Sequence, residues 1–140
     1  MTAYLLVRAG GAPYGLPLGD VLEVLEAPAV VRVPGVHPSV RGVTPVHGRL
    51  LPRVDLAALL GRPQPDDAAP PTLVVVRGAG RTVAFEVEDV DLAMQDDVLP
   101  LPAAWEGPNA VGAARHGEEL VPLLEVGVLL ARLETAAGAV

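Results

Sequence analysis

The chain has 140 residues, 51 % of them apolar, which suits one compact domain with ample core material and excludes intrinsic disorder. Ten Arg face seventeen Asp and Glu, a formal charge of −7, so the clustered cations that nucleic acid or anionic lipid reward are missing. Cysteine is absent, which rules out disulfides, thiolate–zinc sites and cysteine nucleophiles.

The opening MTAYLLVRAGG lacks the charged-then-apolar order of a signal peptide. No apolar run approaches the roughly 18 residues of a membrane helix, so the expectation is a soluble, cytoplasmic protein without membrane insertion. Fifteen Gly and fifteen Pro cut the sequence into short segments, which favours an all-β domain over a helix bundle. Tyr4–Arg8 and Tyr14–Leu18 are apolar runs around Gly10-Gly11-Ala12-Pro13 and predict a hairpin. Val21–Leu25 is rich in Val and reads as a strand. Arg41–Asp55 predicts two strands around a turn at His47-Gly48, then one helical turn over Leu56–Leu60 that Gly61 ends.

Residues 62–71 (RPQPDDAAPP) form a proline-rich linker that divides the single domain, residues 1–140, into two β-rich halves. Residues 1–63 hold six Arg and four acids, net +2; residues 64–140 hold four Arg and thirteen acids, net −9. Leu73–Val76 reads as a buried strand. Val83, Phe85 and Val87 alternate with Thr82, Ala84, Glu86 and Glu88, the pattern of a strand with one wet face. The phase then slips at Glu88-Asp89, which predicts a turn or bulge. A loop follows from Leu99 to Asn109, and Val111–Arg115 with Glu119–Leu123 predict a last hairpin around His116-Gly117. Val126, Leu129, Leu130 and Leu133 recur at helical spacing, with Arg132 and Glu134 off that face.

No catalytic constellation is legible. The single Ser39 lacks a nucleophile-elbow context, and His37, His47 and His116 stand at no metal-ligand spacing. Gly78-Ala79-Gly80 joins two strands with no helix after it, so it reads as a hairpin turn rather than a phosphate loop. The acidic doublets Asp66-Asp67, Asp96-Asp97 and Glu118-Glu119 lack calcium-loop spacing. Phe85 reads as core, and Trp105 as a loop anchor or a cover on a small core. The expectation is a non-enzyme, without cofactor or metal, whose function lies in its surfaces.

An ordered set of segments carries a family resemblance. They are Tyr4-Leu-Leu-Val, Tyr14-Gly-Leu-Pro-Leu, Val21-Leu-Glu-Val24, Val33-Pro34, Pro38-Ser-Val-Arg-Gly-Val-Thr44 and Gly48-Arg-Leu-Leu-Pro-Arg-Val-Asp-Leu56. Leu73-Val-Val-Val76, Val83–Val90, Leu99-Pro-Leu-Pro102 and Leu120–Glu125 continue the order. Together they resemble the CheW-like family of chemotaxis coupling proteins over nearly the whole chain. The resemblance implies two intertwined five-stranded β-barrels with a short C-terminal helix. It also implies an adaptor that joins the regulatory domain of a CheA-type histidine kinase to the cytoplasmic helical hairpin of a chemoreceptor. A hydrophobic groove between the barrels would receive that hairpin.

By the same resemblance Val21, Glu23, Gly42, Val43 and Val74 fall near the receptor surface; Asp55 matches the family's Asp-Leu and reads as a helix N-cap, its side chain accepting from free backbone N–H groups. Departures from the family pattern are local. Pro45-Val46-His47-Gly48 stands where the family reads Asn-Leu-Arg-Gly, and Glu88 stands where it reads Asp. The family's Arg pairs with the acid corresponding to Glu23. His47 lacks the guanidinium fork, and Arg49, two residues on, points to the same face if the hairpin geometry allows, so His47 and Arg49 both join the receptor- and kinase-binding candidates. An alternative reading is a divergent module of a non-flagellar pathway that binds a kinase or another protein but not typical receptors.

Overall fold

The computed structural model describes residues 2–27, 38–62, 72–101 and 110–138, and of residues 92–95 and 134–138 the backbone alone. His37, Trp105, Val33-Pro34 and the linker residues 63–71 lie outside the described residues. The strands are β1 (Thr2–Ala9), β2 (Ala12–Pro17), β3 (Val21–Glu26), β4 (Val40–Val46), β5 (Arg49–Asp55) and β6 (Thr72–Gly78). They continue with β7 (Arg81–Val87), β8 (Asp89–Asp96), β9 (Val98–Leu99), β10 (Ala110–His116) and β11 (Glu119–Leu124). A 3-10 turn (Leu18–Asp20) and two α-helices, α1 (Leu56–Leu59) and α2 (Val126–Gly138), complete the described elements.

The turn residues explain the hairpins. His47-Gly48 (φ +49° and +76°) and Ala79-Gly80 (φ +52° and +75°) are left-handed at both central positions, the twist that a two-residue hairpin turn needs. The slip at Glu88 is also present. Its amide donates to the carbonyl of Arg8 at 2.9 Å, and β8 then pairs antiparallel with β1.

Six strands form one sheet in the order β8-β1-β2-β11-β10-β9, and five form the other, β3-β6-β7-β5-β4. The all-β architecture with a short C-terminal helix holds. Both sheets are open, however, and one has six strands rather than five. The proline-rich segment does not separate them either: β5 and β6, on its two sides, belong to the same sheet. The chain interleaves instead, because its first hairpin joins its last through the parallel contact of Gly15 with Leu123.

Both faces of each sheet bury apolar side chains. Leu5, Val7, Tyr14, Leu16, Val74, Val76, Val83 and Phe85 meet in a central core that Leu56, Leu59, Val126, Leu129, Leu130 and Leu133 cover from the helices. The opposite face of the six-stranded sheet holds Tyr4, Leu6, Ala114, Val121 and Leu123. The opposite face of the five-stranded sheet holds Val46, Leu51, Leu73, Val75 and Ala84. Runs such as Tyr4–Val7 and Leu73–Val76 are therefore apolar without alternation, each residue serving one of two cores. Tyr4 ends in a polar group, and its hydroxyl donates to Asp96 Oδ2 at 2.6 Å. Burial first, and that bond second, push the Tyr4 hydroxyl pKa far upward, so it stays a donor.

The wet face expected on β7 is not wet: Ala84 and Glu86 are buried. The five-stranded sheet curls, enclosing a second small core where one flat face would have met water.

Gly15 makes the seam between the first and last hairpins possible. A Cβ there would lie 2.3 Å from Leu123 Cδ2 and 2.9 Å from Tyr4 Cδ2, and the Tyr4 ring is tethered through its hydroxyl. Gly15→Ala should therefore cost about 1–3 kcal/mol by overpacking. A lowered urea midpoint with an unchanged slope is the expected reading.

Candidate functional site

Two chain segments carry most of the sequence-derived candidates: strand β3 and the β4–β5 hairpin. They form opposite ends of the five-stranded sheet. The sheet curls far enough for its ends to meet through side chains. His47 Nε2, at the hairpin tip, lies 2.8 and 2.7 Å from the two carboxylate oxygens of Glu23 on β3. One ring nitrogen thus serves both oxygens where a guanidinium would have used two N–H groups. His47 takes the position itself, and Arg49 does not substitute for it. Arg49 is exposed on β5, and no ion pair joins it to Glu23 among the described residues. With side-chain exposures of 75 % and 37 %, the His47–Glu23 pair is worth at most about 1 kcal/mol to folding. Its significance is geometric, since it spans the gap between two edges that no ladder closes.

The other candidates divide between surface and interior. Val21 is half-buried and packs against the central core. Gly42 is buried, with φ +152°, at an irregularity in the β4–β5 ladder, so its role is in the backbone. Val43 is half-buried opposite Pro52. Val74 is fully buried in the central core, so its side chain offers nothing to a partner. The resemblance placed it near the receptor surface, but the neighbouring helices and sheet cover it.

The hairpin rests on an ionic network that sequence reading missed. Glu86 of β7, 2 % exposed, accepts from Arg41 Nε through Oε1 at 2.6 Å and from Arg53 Nε through Oε2. Arg41 also donates to Asp55 Oδ2 at 3.1 Å, and Asp55 Oδ1 accepts from the Ala58 amide at 3.3 Å. Asp55 is thus the N-cap that the sequence indicates and a partner of Arg41 besides. Burial raises its carboxyl above the ordinary carboxylate range, outweighing the Ala58 bond and the Arg41 charge. The second departure from the family pattern is also satisfied: Glu88 Oε1 accepts from the Gly11 amide at 2.8 Å, pinning the first hairpin.

The exposed apolar side chains mark the surfaces a partner would see. Leu22 and Val24 on β3 are 57 % and 43 % exposed. Leu50 on β5 is 67 % exposed, and its register partner Pro45 lies beside the Val43–Pro52 pair. Beside Val24 an open groove of about 350 Å³ separates the β3 and β8 edges, lined by Val24, Leu25, Glu26, Thr72, Asp89 and Val90. Its lining is only half apolar, and none of the sequence-derived candidates lines it. No group of three or more metal-ligating side chains occurs among the described residues.

Comparison with known proteins agrees with this architecture. Residues 3–134 match the CheW-like domain. The chain is 32 % identical to protein FrzA of Myxococcus xanthus over 135 residues, covering 91 % of this chain and 84 % of that protein. It is 48 % identical to protein PilI of Pseudomonas aeruginosa over 54 residues, 39 % of this chain and 30 % of PilI. It is 25 % identical to the chemotaxis protein CheW of Helicobacter pylori over 126 residues, 86 % of this chain and 76 % of that protein. The scaffolding protein TtCheW from Thermoanaerobacter tengcongensis shares the fold, with a TM-score of 0.82, 18 % identity and 91 % of each chain covered. The chain belongs to the CheW-like domain family.

Two substitutions test the network beneath the hairpin. Glu86→Ala strands Arg53 in the interior without its counter-charge and should cost about 3–5 kcal/mol in urea unfolding. Asp55→Asn keeps an acceptor for the cap and removes the titration. A raised folded pKa means that the Asp55 contribution is complete below about pH 4 and is lost as pH rises through the folded value. The difference in stability between Asp55→Asn and the native chain should therefore shift in the variant's favour from pH 4 to pH 7.

Proposed function

We propose that the protein is a non-catalytic adaptor of the cytoplasm, coupling chemoreceptors to a CheA-type histidine kinase. Family membership over residues 3–134 is the observation that carries this reading. The surfaces suit it. Leu22, Val24 and Leu50 present apolar area without reactive groups, and a helix laid on such area gains affinity by burial alone. The kinase's regulatory domain and the receptor's cytoplasmic helical hairpin are the partners in this reading. In this reading Val21, Glu23, Val43, His47 and Arg49 contribute to the partner surface, and Gly42 shapes the strand that carries Val43.

A second reading has support of its own. The departure at Pro45-Val46-His47 favours a module that keeps the coupling fold and serves a non-flagellar pathway, with a partner other than typical receptors.

A pull-down of folded protein with a CheA-type regulatory domain separates adaptor from non-adaptor. Binding in the micromolar range is expected, and none at tens of micromolar overturns the proposal. His47→Arg then distinguishes the two readings. Recruitment to receptor arrays that rises with the restored guanidinium supports receptor coupling, whereas unchanged recruitment supports the second reading.

A further inference from the structure

A side-chain contact, not a ladder, draws the two ends of the five-stranded sheet together. Its end strands, β3 and β4, share no pairing among the described residues. Beneath the gap lies the small core of Val46, Leu51, Leu73, Val75 and Ala84, and Leu25 of β3 packs against it. Val46 directly precedes His47, and Leu25 stands two residues past Glu23, on the same face of β3. The His47–Glu23 contact therefore sits at the mouth of this core, where the hairpin tip meets β3.

The chemistry of that contact depends on a proton. Nε2 faces both Glu23 oxygens, at 2.8 and 2.7 Å, so the contact requires a hydrogen on Nε2. A protonated imidazole supplies that hydrogen together with a positive charge, and a hydrogen bond between ionised groups is about twice as strong as a neutral one. A neutral imidazole has two tautomers. The tautomer protonated at Nδ1 turns the Nε2 lone pair toward the carboxylate and is repelled. Nδ1 has no partner among the described residues, so nothing there selects the other tautomer.

Neighbouring charges do not mask the change. On the hairpin, Arg49 lies across the ladder from Val46, and Arg53 is held by the buried Glu86 of β7. From β6, Arg77 stands two residues past Val75 on the same face, while Glu26 alternates to the other face of β3. Guanidinium groups keep their charge throughout, and neither Arg49 nor Arg77 joins an ion pair among the described residues. Imidazole is the side chain that changes charge between about pH 5 and 8, and among the described residues at this seam only His47 carries one.

We propose that His47 and Glu23 form a proton-operated latch on the curled sheet. The seam is held shut while the imidazole is protonated, and the hairpin tip loosens as pH rises toward about 8. Leu50 rides on the same tip, so the apolar surface presented there varies with the proton, as does access to the small core beneath. The device lies within the chain and stands or falls independently of the adaptor reading.

Amide hydrogen exchange, read by NMR on the full chain, tests the latch. Protection factors corrected for the intrinsic pH dependence of exchange are compared at about pH 5.5 and about pH 7.5. Amides of the β4–β5 tip and of β3 should lose about threefold to fivefold protection at the higher pH, the scale of an exposed ion pair. Those of the β1–β2 hairpin should not. His47→Arg should keep the tip protected at both pH values, and His47→Gln should leave it at the loosened level at both. The His47 side chain is exposed, so neither variant disturbs the core, and circular dichroism verifies the fold. Equal protection at the two pH values in the native chain overturns the inference. So does a pH dependence that persists in His47→Gln, or one that the β1–β2 hairpin shares in full.

Discussion

Glu86 binds two arginines in a place where water cannot help. Arg41 reaches it from β4 and Arg53 from β5, while Glu86 itself belongs to β7. A carboxylate in that setting is tolerable only with its charges matched, and two of its neighbours, Arg41 and Asp55, continue the matching to the start of α1. The network therefore fixes how β4 and β5 lie on β7, and so where the His47 tip arrives. The contact between His47 and Glu23 is weak by itself. It forms because stronger, buried interactions have already brought the ends of the sheet within reach of each other.

Much of the fold was legible because the local signals agreed with one another. The Gly-containing turns, the phase slip at Glu88, the Asp55 cap and the helical spacing of Val126, Leu129, Leu130 and Leu133 each act within a few residues, and each is present in the structure. What sequence periodicity could not show was the curl. Alternation along β7 assigns Glu86 to solvent, because a charged residue opposite Val83 and Phe85 ordinarily means water on that side. Only the arrival of Arg41 and Arg53, 45 and 33 residues away in sequence, makes the other side an interior. The division at the proline-rich segment misled for a related reason. Composition marks where the chain turns, not which strands will pair.

The candidate surface was legible in its address more than in its chemistry. Glu23 and the 47 position meet as the family pattern implies, although the cation's identity has changed. Val74 illustrates the opposite case: a valine in a strand reads the same whether it faces a partner or a core. Burial settles the matter in favour of the core. The acidic groove left no mark in the sequence at all, since Glu26 and Asp89 become neighbours only when the edges of two different sheets approach.

The interleaved strand order also bears on how the protein is made. The first hairpin leaves the ribosome long before the strands that flank it, and Tyr4 must wait 92 residues for Asp96. The five-stranded sheet, by contrast, is contiguous in sequence from β3 to β7 and can assemble as soon as Val87 has emerged. Meanwhile Tyr4, Leu5, Leu6 and Val7, paired with β2 on one side, keep the edge that β8 will take unpaired, the kind of segment that chaperones hold and that aggregates when they do not. Assembly of the sheets thus lags synthesis at its two ends, with the first and last hairpins joining late through Gly15 and Leu123.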